Sequence, residues 1–336
     1  MIEKPEIKEE KIIDVLKENY SIQAHDLEFL PIGNDASSFA YRVEDEYGDS
    51  YFLKLKTKLP NPAGLFVPRF LKNNGFQQVV TPLPAKTQNL FGGVDEFFII
   101  LYPFIRGNEA MQVGMTDAQW TEFGSTLKRI HETGLPLDIS QHVKLETFVP
   151  QWSRYTQELN DQINKRNYDD PYQKDLAAFW KENNKTIQTL VDRTEMIGQR
   201  LQETDLKFVL CHADIHTANI IITREQEMFI VDWDDTLLAP KERDLMFVLG
   251  AGTRPEESFF NAYGNVKINH LALAYYRYEW CVQEIGDFGK RVFCAKDIAE
   301  DTKQNALEGF IKLFSHGDVI EGALDTPFEA RIRNHL

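Results

Sequence analysis

The chain has 336 residues, 37 of them Lys or Arg and 52 Asp or Glu, for a formal net charge of −15. That balance argues against general nucleic-acid binding, because a phosphate backbone needs a basic footprint. At 43% hydrophobic and 26% charged it has an ordinary globular composition, with length for about two domains of roughly 150 residues.

The N-terminal run MIEKPEIKEEKIID is charged throughout and lacks an apolar signal core. Apolar residues then fall on one face over 7–19, which predicts a helix. Strands are predicted at 28–32 and 39–43, flanking a small polar loop at 33–38. A turn at 45–49 leads to a strand at 51–55 that carries Lys54. A short helix is expected at 64–73, weakened by Pro68. The Gly92-Gly93 turn precedes a strand at 96–102. The pattern changes near 102–107, where Pro103 and Gly107 punctuate the chain.

Beyond that join, Thr116-Asp117-Ala118-Gln119 reads as a capping box opening a helix to about Thr133. Residues 150–165 read as helix, and Asp170-Pro171 as the start of one long helix to about 203. Short strands are expected at 208–211, 219–223 and 228–231, then helices from 245 onward. The order predicts an α+β fold with a β-rich lobe at 1–105 and an α-rich lobe at 106–336. The longest apolar run, 97–105, is well short of the roughly 18 residues of a membrane span. A cytoplasmic location without a membrane partner is therefore expected. Cys211, Cys281 and Cys294 are odd in number and widely spaced, which fits reduced thiols.

The segment VLCHADIHTANIIIT, followed by MFIVDWDD, carries the chemistry. Phosphoryl transfer needs a group that orients a hydroxyl nucleophile and hard oxygen ligands for magnesium. Here Asp214 is the candidate base, and Asn219 with Asp232 the candidate metal pair. With His212 they form an H-x-D-x-x-x-x-N loop and a later Asp at a strand end, the kinase arrangement.

On these residues the chain resembles the aminoglycoside phosphotransferases and related kinase-fold small-molecule kinases. The continuation APKERDLMFV is similar to the spectinomycin-phosphorylating branch. SSFAYRV, YFLKLK, IILYPFI and LKRIHET extend the likeness over about 10–320. The resemblance implies a two-lobed protein-kinase-like fold, ATP and Mg2+ as cofactors, and transfer of the γ-phosphate to a substrate hydroxyl. It implies that Asp214 orients that hydroxyl and that Asn219 and Asp232 hold magnesium. Lys54 would hold the α- and β-phosphates, with Ser37 and Ser38 in the loop above them. Main-chain groups around Tyr102, Phe104 and Ile105 would pair with adenine. The implied acceptor is a cationic aminocyclitol such as spectinomycin, which Asp214, Asp234 and Asp235 would face.

The phosphate loop has one glycine, and DWD stands where protein kinases have DFG. Residues 55–94 contain no Asp or Glu, so the helix after Lys54 offers no carboxylate to pair with it. Either another carboxylate reaches Lys54 or phosphates alone hold it. Ser37 and Ser38 suit a plain turn as well as phosphate contact, and Asp234 and Asp235 suit plain solvation. His212 and His216 read as braces of the loop, and Asp244 as a tie from the loop to the next helix. The rings of Tyr275, Tyr276, Tyr278 and Trp280 read first as helix packing. A kinase of choline, homoserine or a glycated amine stays open, as does a catalytically silent nucleotide-binding module. The lack of an A-P-E segment argues against a protein kinase. Oligomeric state leaves no signature in the sequence.

Overall fold

Alternating apolar and polar residues near the N-terminus produce a five-stranded antiparallel sheet. The computed structural model describes residues 3–33, 37–249, 254–294 and 300–324. Helix α1 (Glu9–Val15) runs into a π-helical turn, Leu16–Tyr20. Strands β1 (Ala24–Leu30), β2 (Ser38–Asp45) and β3 (Ser50–Lys56) follow. Helix α2 (Pro62–Asn73) comes next, then β4 (Gly92–Val94) and β5 (Phe97–Pro103). The strand order is β1-β2-β3-β5-β4. One face of this sheet buries Ile12, Leu16, Tyr41, Val43, Leu53, Leu55, Ile99 and Leu101. Each such side chain contributes about 2 kcal/mol by leaving water. Because strand side chains alternate, burying Leu53 and Leu55 turns Lys54 and Lys56 together to the opposite face.

Helix α2 starts two residues earlier than the sequence suggests. Asn61 caps it by accepting from the Ala63 amide at 3.2 Å, and Pro62 takes the first turn, where its missing N–H has no consequence. Pro68 sits inside the helix and is buried there, so packing offsets its helix-breaking tendency. The segment beyond α2 pairs with a later strand: Ile230 N–H donates to Gln78 O at 2.7 Å, and Val80 N–H to Ile230 O at 3.1 Å.

Next come β6 (Gly107–Glu109), α3 (Ala110–Val113), α4 (Asp117–Glu132), α5 (Leu137–Ser140) and β7 (Lys144–Leu145). The capping box of α4 is complete, with both Thr116 and Gln119 bonds formed. Helix α6 (Gln151–Lys165) precedes α7 (Pro171–Glu182) and α8 (Asn184–Gln202). The long helix expected from 171 to 203 is thus two helices. Asn183 breaks it, at φ −95° and ψ 7°, and its side chain donates to Phe179 O at 3.0 Å. An amide side chain competing for helix carbonyls favours such an end.

Strands β8 (Val209–Cys211), β9 (Ile220–Thr223), β10 (Met228–Ile230) and β11 (Leu237–Ala239) follow, with a 3-10 turn, Thr217–Asn219, before β9. Helices α9 (Glu242–Leu245), α10 (Arg254–Tyr263), α11 (His270–Phe293), α12 (Glu300–Leu313) and α13 (Val319–Leu324) complete the order. Two small sheets form, β10-β9-β6 and β7-β11-β8. The short β6, β7 and β11 carry little periodicity of their own and were not expected.

The chain groups into two compact units. The first comprises Met1–Leu145, Val209–Phe247 and Ala251–Asn265, and the second Glu146–Phe208, Val248–Gly250 and Val266–Leu336. The first therefore holds both the five-stranded sheet and the Asp214 loop, and runs past residue 105. In the second, α11 packs along α8 and α6, burying Tyr275, Tyr276 and Tyr278 as expected for packing rings. Cys211 and Cys281 are buried free thiols and Cys294 an exposed one.

Candidate active site

The wholly buried strand β8 delivers the chain into a loop at His212, Ala213 and Asp214. Ala213 adopts φ 74°, a left-handed conformation costing on the order of 1 kcal/mol for a residue with a Cβ. Asp244 of α9 holds that conformation. Its carboxylate accepts from His212 N–H at 3.0 Å and from Ala213 N–H at 2.7 Å. It also bonds His131 Nε2 at 3.0 Å, and His131 Nδ1 bonds the Tyr263 hydroxyl at 2.6 Å. Burial alone would raise the Asp244 carboxyl; the His131 bond and the loop amides outweigh it and hold it below the usual range. Asp244 is therefore the tie the sequence suggested.

His212 is fully buried and braces the loop from inside. Its Nε2 bonds Val231 O at 2.9 Å, and its Nδ1 accepts from Asp214 N–H at 3.3 Å. Those partners assign the proton to Nε2. Its ring lies 4.6 Å from that of Trp233, a packing residue.

Asp214 and Asn219 meet directly. The Asn219 amide nitrogen donates to Asp214 O at 2.8 Å and to Asp214 Oδ2 at 3.0 Å. Both bonds use nitrogen, which leaves the Asn219 amide oxygen as the group that can accept. His216 Nε2 lies 3.4 Å from Asp214 Oδ1. Enclosure tends to raise the Asp214 carboxyl, but His216 first, then Arg243, keep it below its usual range. It stays ionised at neutral pH. Val231 N–H donates to Asn219 O at 3.0 Å, tying this loop to the segment that runs from β10 to Asp232.

Asp232 also has a left-handed backbone, φ 59°. Lys54 Nζ donates to Asp232 Oδ1 at 2.9 Å and to Asp234 Oδ2 at 2.8 Å. Lys56 Nζ donates to the same Asp234 oxygen at 2.7 Å. Burial would lower the Lys54 pKa, but Asp232 and Asp234 outweigh it and hold it well above the usual value. The carboxylate missing from the helix after Lys54 is thus supplied by Asp232 and Asp234. Asp234, one of the residues expected to face an incoming cation or plain solvent, carries two ammonium groups of the chain itself. Its side chain is 20% exposed, against 44% for Asp232, which keeps more of its carboxylate open. Enclosure, then the negative charge of Asp214, pushes the Asp235 carboxyl above its usual range.

The remaining predicted residues lie along the same sheet. Ser38 pairs with Lys56 across β2 and β3, and Ser37 O accepts from Thr57 N–H at 2.9 Å. Residues 34–36 of the predicted phosphate loop lie outside the described residues. Tyr102 sits opposite Phe52 in the ladder, and burial pushes its hydroxyl pKa up. Phe104 N–H donates to Ser50 O at 3.2 Å. Extension of the β3–β5 ladder consumes it. Any adenine pairing then falls to the other main-chain groups from Tyr102 to Ile105.

Three residues of the cluster were missed. Lys56 could have been found from its spacing, two positions beyond Lys54 on one strand face. Asn61 donates from its side chain to Asp234 O at 2.8 Å. At Gly64 a Cβ would lie 2.9 Å from Trp233 O and 3.1 Å from Asp234 Cα. The start of α2 therefore lies directly on the DWD backbone, which no local sequence signal reveals.

The model of the phosphotransferase enzyme family matches residues 28–277. The chain belongs to that family. A solved spectinomycin phosphotransferase, in complex with ADP and spectinomycin, is 32% identical with a TM-score of 0.86, covering 96% of this chain and 99% of that one. Protein StrN of Streptomyces griseus is 22% identical over 316 residues, 87% of this chain and 89% of that protein. Choline kinase LicA from Streptococcus pneumoniae, at 14% identity and a TM-score of 0.55, shares the fold, over 90% of this chain and 97% of that one. This family member is a small-molecule kinase with the α+β kinase-like fold. None of its described helices is long and apolar enough to cross a membrane.

Proposed function

We propose that this kinase transfers the γ-phosphoryl group of ATP to a hydroxyl of a cationic aminocyclitol, with spectinomycin as the acceptor. The observation that carries the reaction class is the ionised Asp214, fixed by Asn219 and set on the same unit as the Lys54–Asp232 pair. The acceptor rests on the likeness to spectinomycin phosphotransferase over nearly the whole chain.

Asp214 would accept a hydrogen bond from the acceptor hydroxyl and take its proton as the new O–P bond forms and the bond from the γ-phosphorus to the departing ADP breaks. Lys54 neutralises charge on the phosphates, in an enclosed site where that charge counts for more than in water. The Asn219 amide oxygen and the Asp232 carboxylate are hard oxygen donors and suit magnesium. Magnesium, when bound there, neutralises and orients the phosphate oxygens. In this reading Ser37 and Ser38 would contact the phosphates, and main-chain groups from Tyr102 to Ile105 the adenine. Asp235, with Asp214, keeps the acceptor side negative, which suits an ammonium-bearing substrate.

ADP release is measured with spectinomycin, choline, homoserine and a glycated amine as acceptors. Turnover on spectinomycin is expected. Turnover on choline with none on spectinomycin overturns the acceptor assignment. Asp214→Ala is expected to lower kcat by about 10²- to 10⁴-fold while ATP affinity holds. Unchanged turnover in that variant removes Asp214 from the mechanism.

A further inference from the structure

Lys54 needs a partner that orients it before nucleotide arrives, since a long flexible ammonium is otherwise unplaced. Helix α2 supplies no carboxylate, because residues 55–94 contain no Asp or Glu. Instead α2 supplies backbone control. Asn61 holds the Asp234 carbonyl, and Gly64 lets the helix lie against Trp233 and Asp234. That fixes where the Asp234 carboxylate emerges. One oxygen of that carboxylate then takes both Lys54 and Lys56, at 2.8 and 2.7 Å. Two cations on one carboxylate oxygen loosen the hold of that carboxylate on either. Lys54 is thereby held in place yet remains able to engage a competing anion.

We infer that Asp234 and Lys56 are positioning residues for the nucleotide phosphates, Asp234 orienting Lys54 and Lys56 acting only through Asp234. The inference rests on the kinase reading above and assigns Asp234 to the phosphate side of the site rather than the acceptor side.

Wild-type protein is first titrated with ATP in magnesium buffer by calorimetry. Failure to bind overturns the nucleotide reading itself, which is a separate result from the one below. Lys56→Met, Asp234→Asn and the double variant are then compared for ATP affinity, kcat and melting temperature. Each single variant is expected to weaken ATP binding about tenfold, the usual effect of losing a group that orients a ligand-binding side chain. The double variant is expected to lose no more than Asp234→Asn alone, because Lys56 has no route to the nucleotide except Asp234. Losses that multiply show Lys56 touching the nucleotide independently and overturn the inference. So does wild-type ATP affinity in either single variant. Should Asp234→Asn fail to fold, Lys56→Met is combined with Lys54→Met instead. The effect of Lys56→Met must then vanish, and its persistence overturns the inference.

Discussion

Asp244 concentrates several functions in one side chain. Two loop amides and His131 converge on its buried carboxylate, and the left-handed Ala213 depends on that grip. Truncation strands three donors in the interior, each with a desolvation cost, and frees the loop that carries Asp214. Asp244→Ala is therefore expected to destabilise the protein by about 3–5 kcal/mol, read as a fall in chemical-denaturation midpoint. A loss below about 1 kcal/mol contradicts this account. His131 shows the limit of reading single residues. In the sequence it is one letter of LKRIHET, and only the fold brings it to Asp244 and Tyr263.

At the scale of elements, the contact between α2 and the DWD segment is the least legible part of the site. Strand alternation announces that Lys54 and Lys56 share a face. Nothing local announces that the first turn of α2 lies on Trp233. Gly64 records that approach, since a Cβ there meets main-chain atoms that cannot rotate away. Gly64→Ala must push α2 and the DWD backbone apart by a few tenths of an ångström or more. The expected result is a loss of about 1–3 kcal/mol in stability together with a raised KM for ATP. A variant with unchanged stability and kinetics contradicts the close packing. The elements that were legible, α4 with its capping box and β2, β3 and β5 with their alternation, are those whose stabilising interactions are local. The short strands β6, β7 and β11 depend on partners far along the chain, whereas the break at Asn183 turns on one local side-chain bond to Phe179 O.

For the whole molecule, the acidic balance has a pH consequence. Asp170, Asp214, Asp234 and Asp244 are all held below the usual carboxylate range. For Asp234, burial works upward, while Lys54 and Lys56 together bring it down from 3.8 to about 2. A lowered folded-state pKa means the unfolded chain binds protons first as pH falls. Stability from these groups is therefore full above pH about 4 and lost below it. Asp234 alone accounts for on the order of 2 kcal/mol of that loss. Asp235, held above the usual range, works in the opposite sense. The melting temperature is expected to change little from pH 7 to 5 and to fall steeply from pH 4 to 3. The fall should be shallower in Asp234→Asn. A melting temperature that stays flat down to pH 3 contradicts these ion pairs.

The candidate reaction residues, the loop that carries them and the longer strands and helices, apart from the break at Asn183, are legible in the sequence alone. Spacing and periodicity are properties of a chain before it folds, and the kinase arrangement is written in them. Which carboxylate meets Lys54, and that Asp234 serves two lysines, only the tertiary structure decided. Those bonds join β3 to a segment far along the chain, which the start of α2 contacts at Trp233 and Asp234 and residues 78–80 pair with at Ile230, contacts that no local pattern contains.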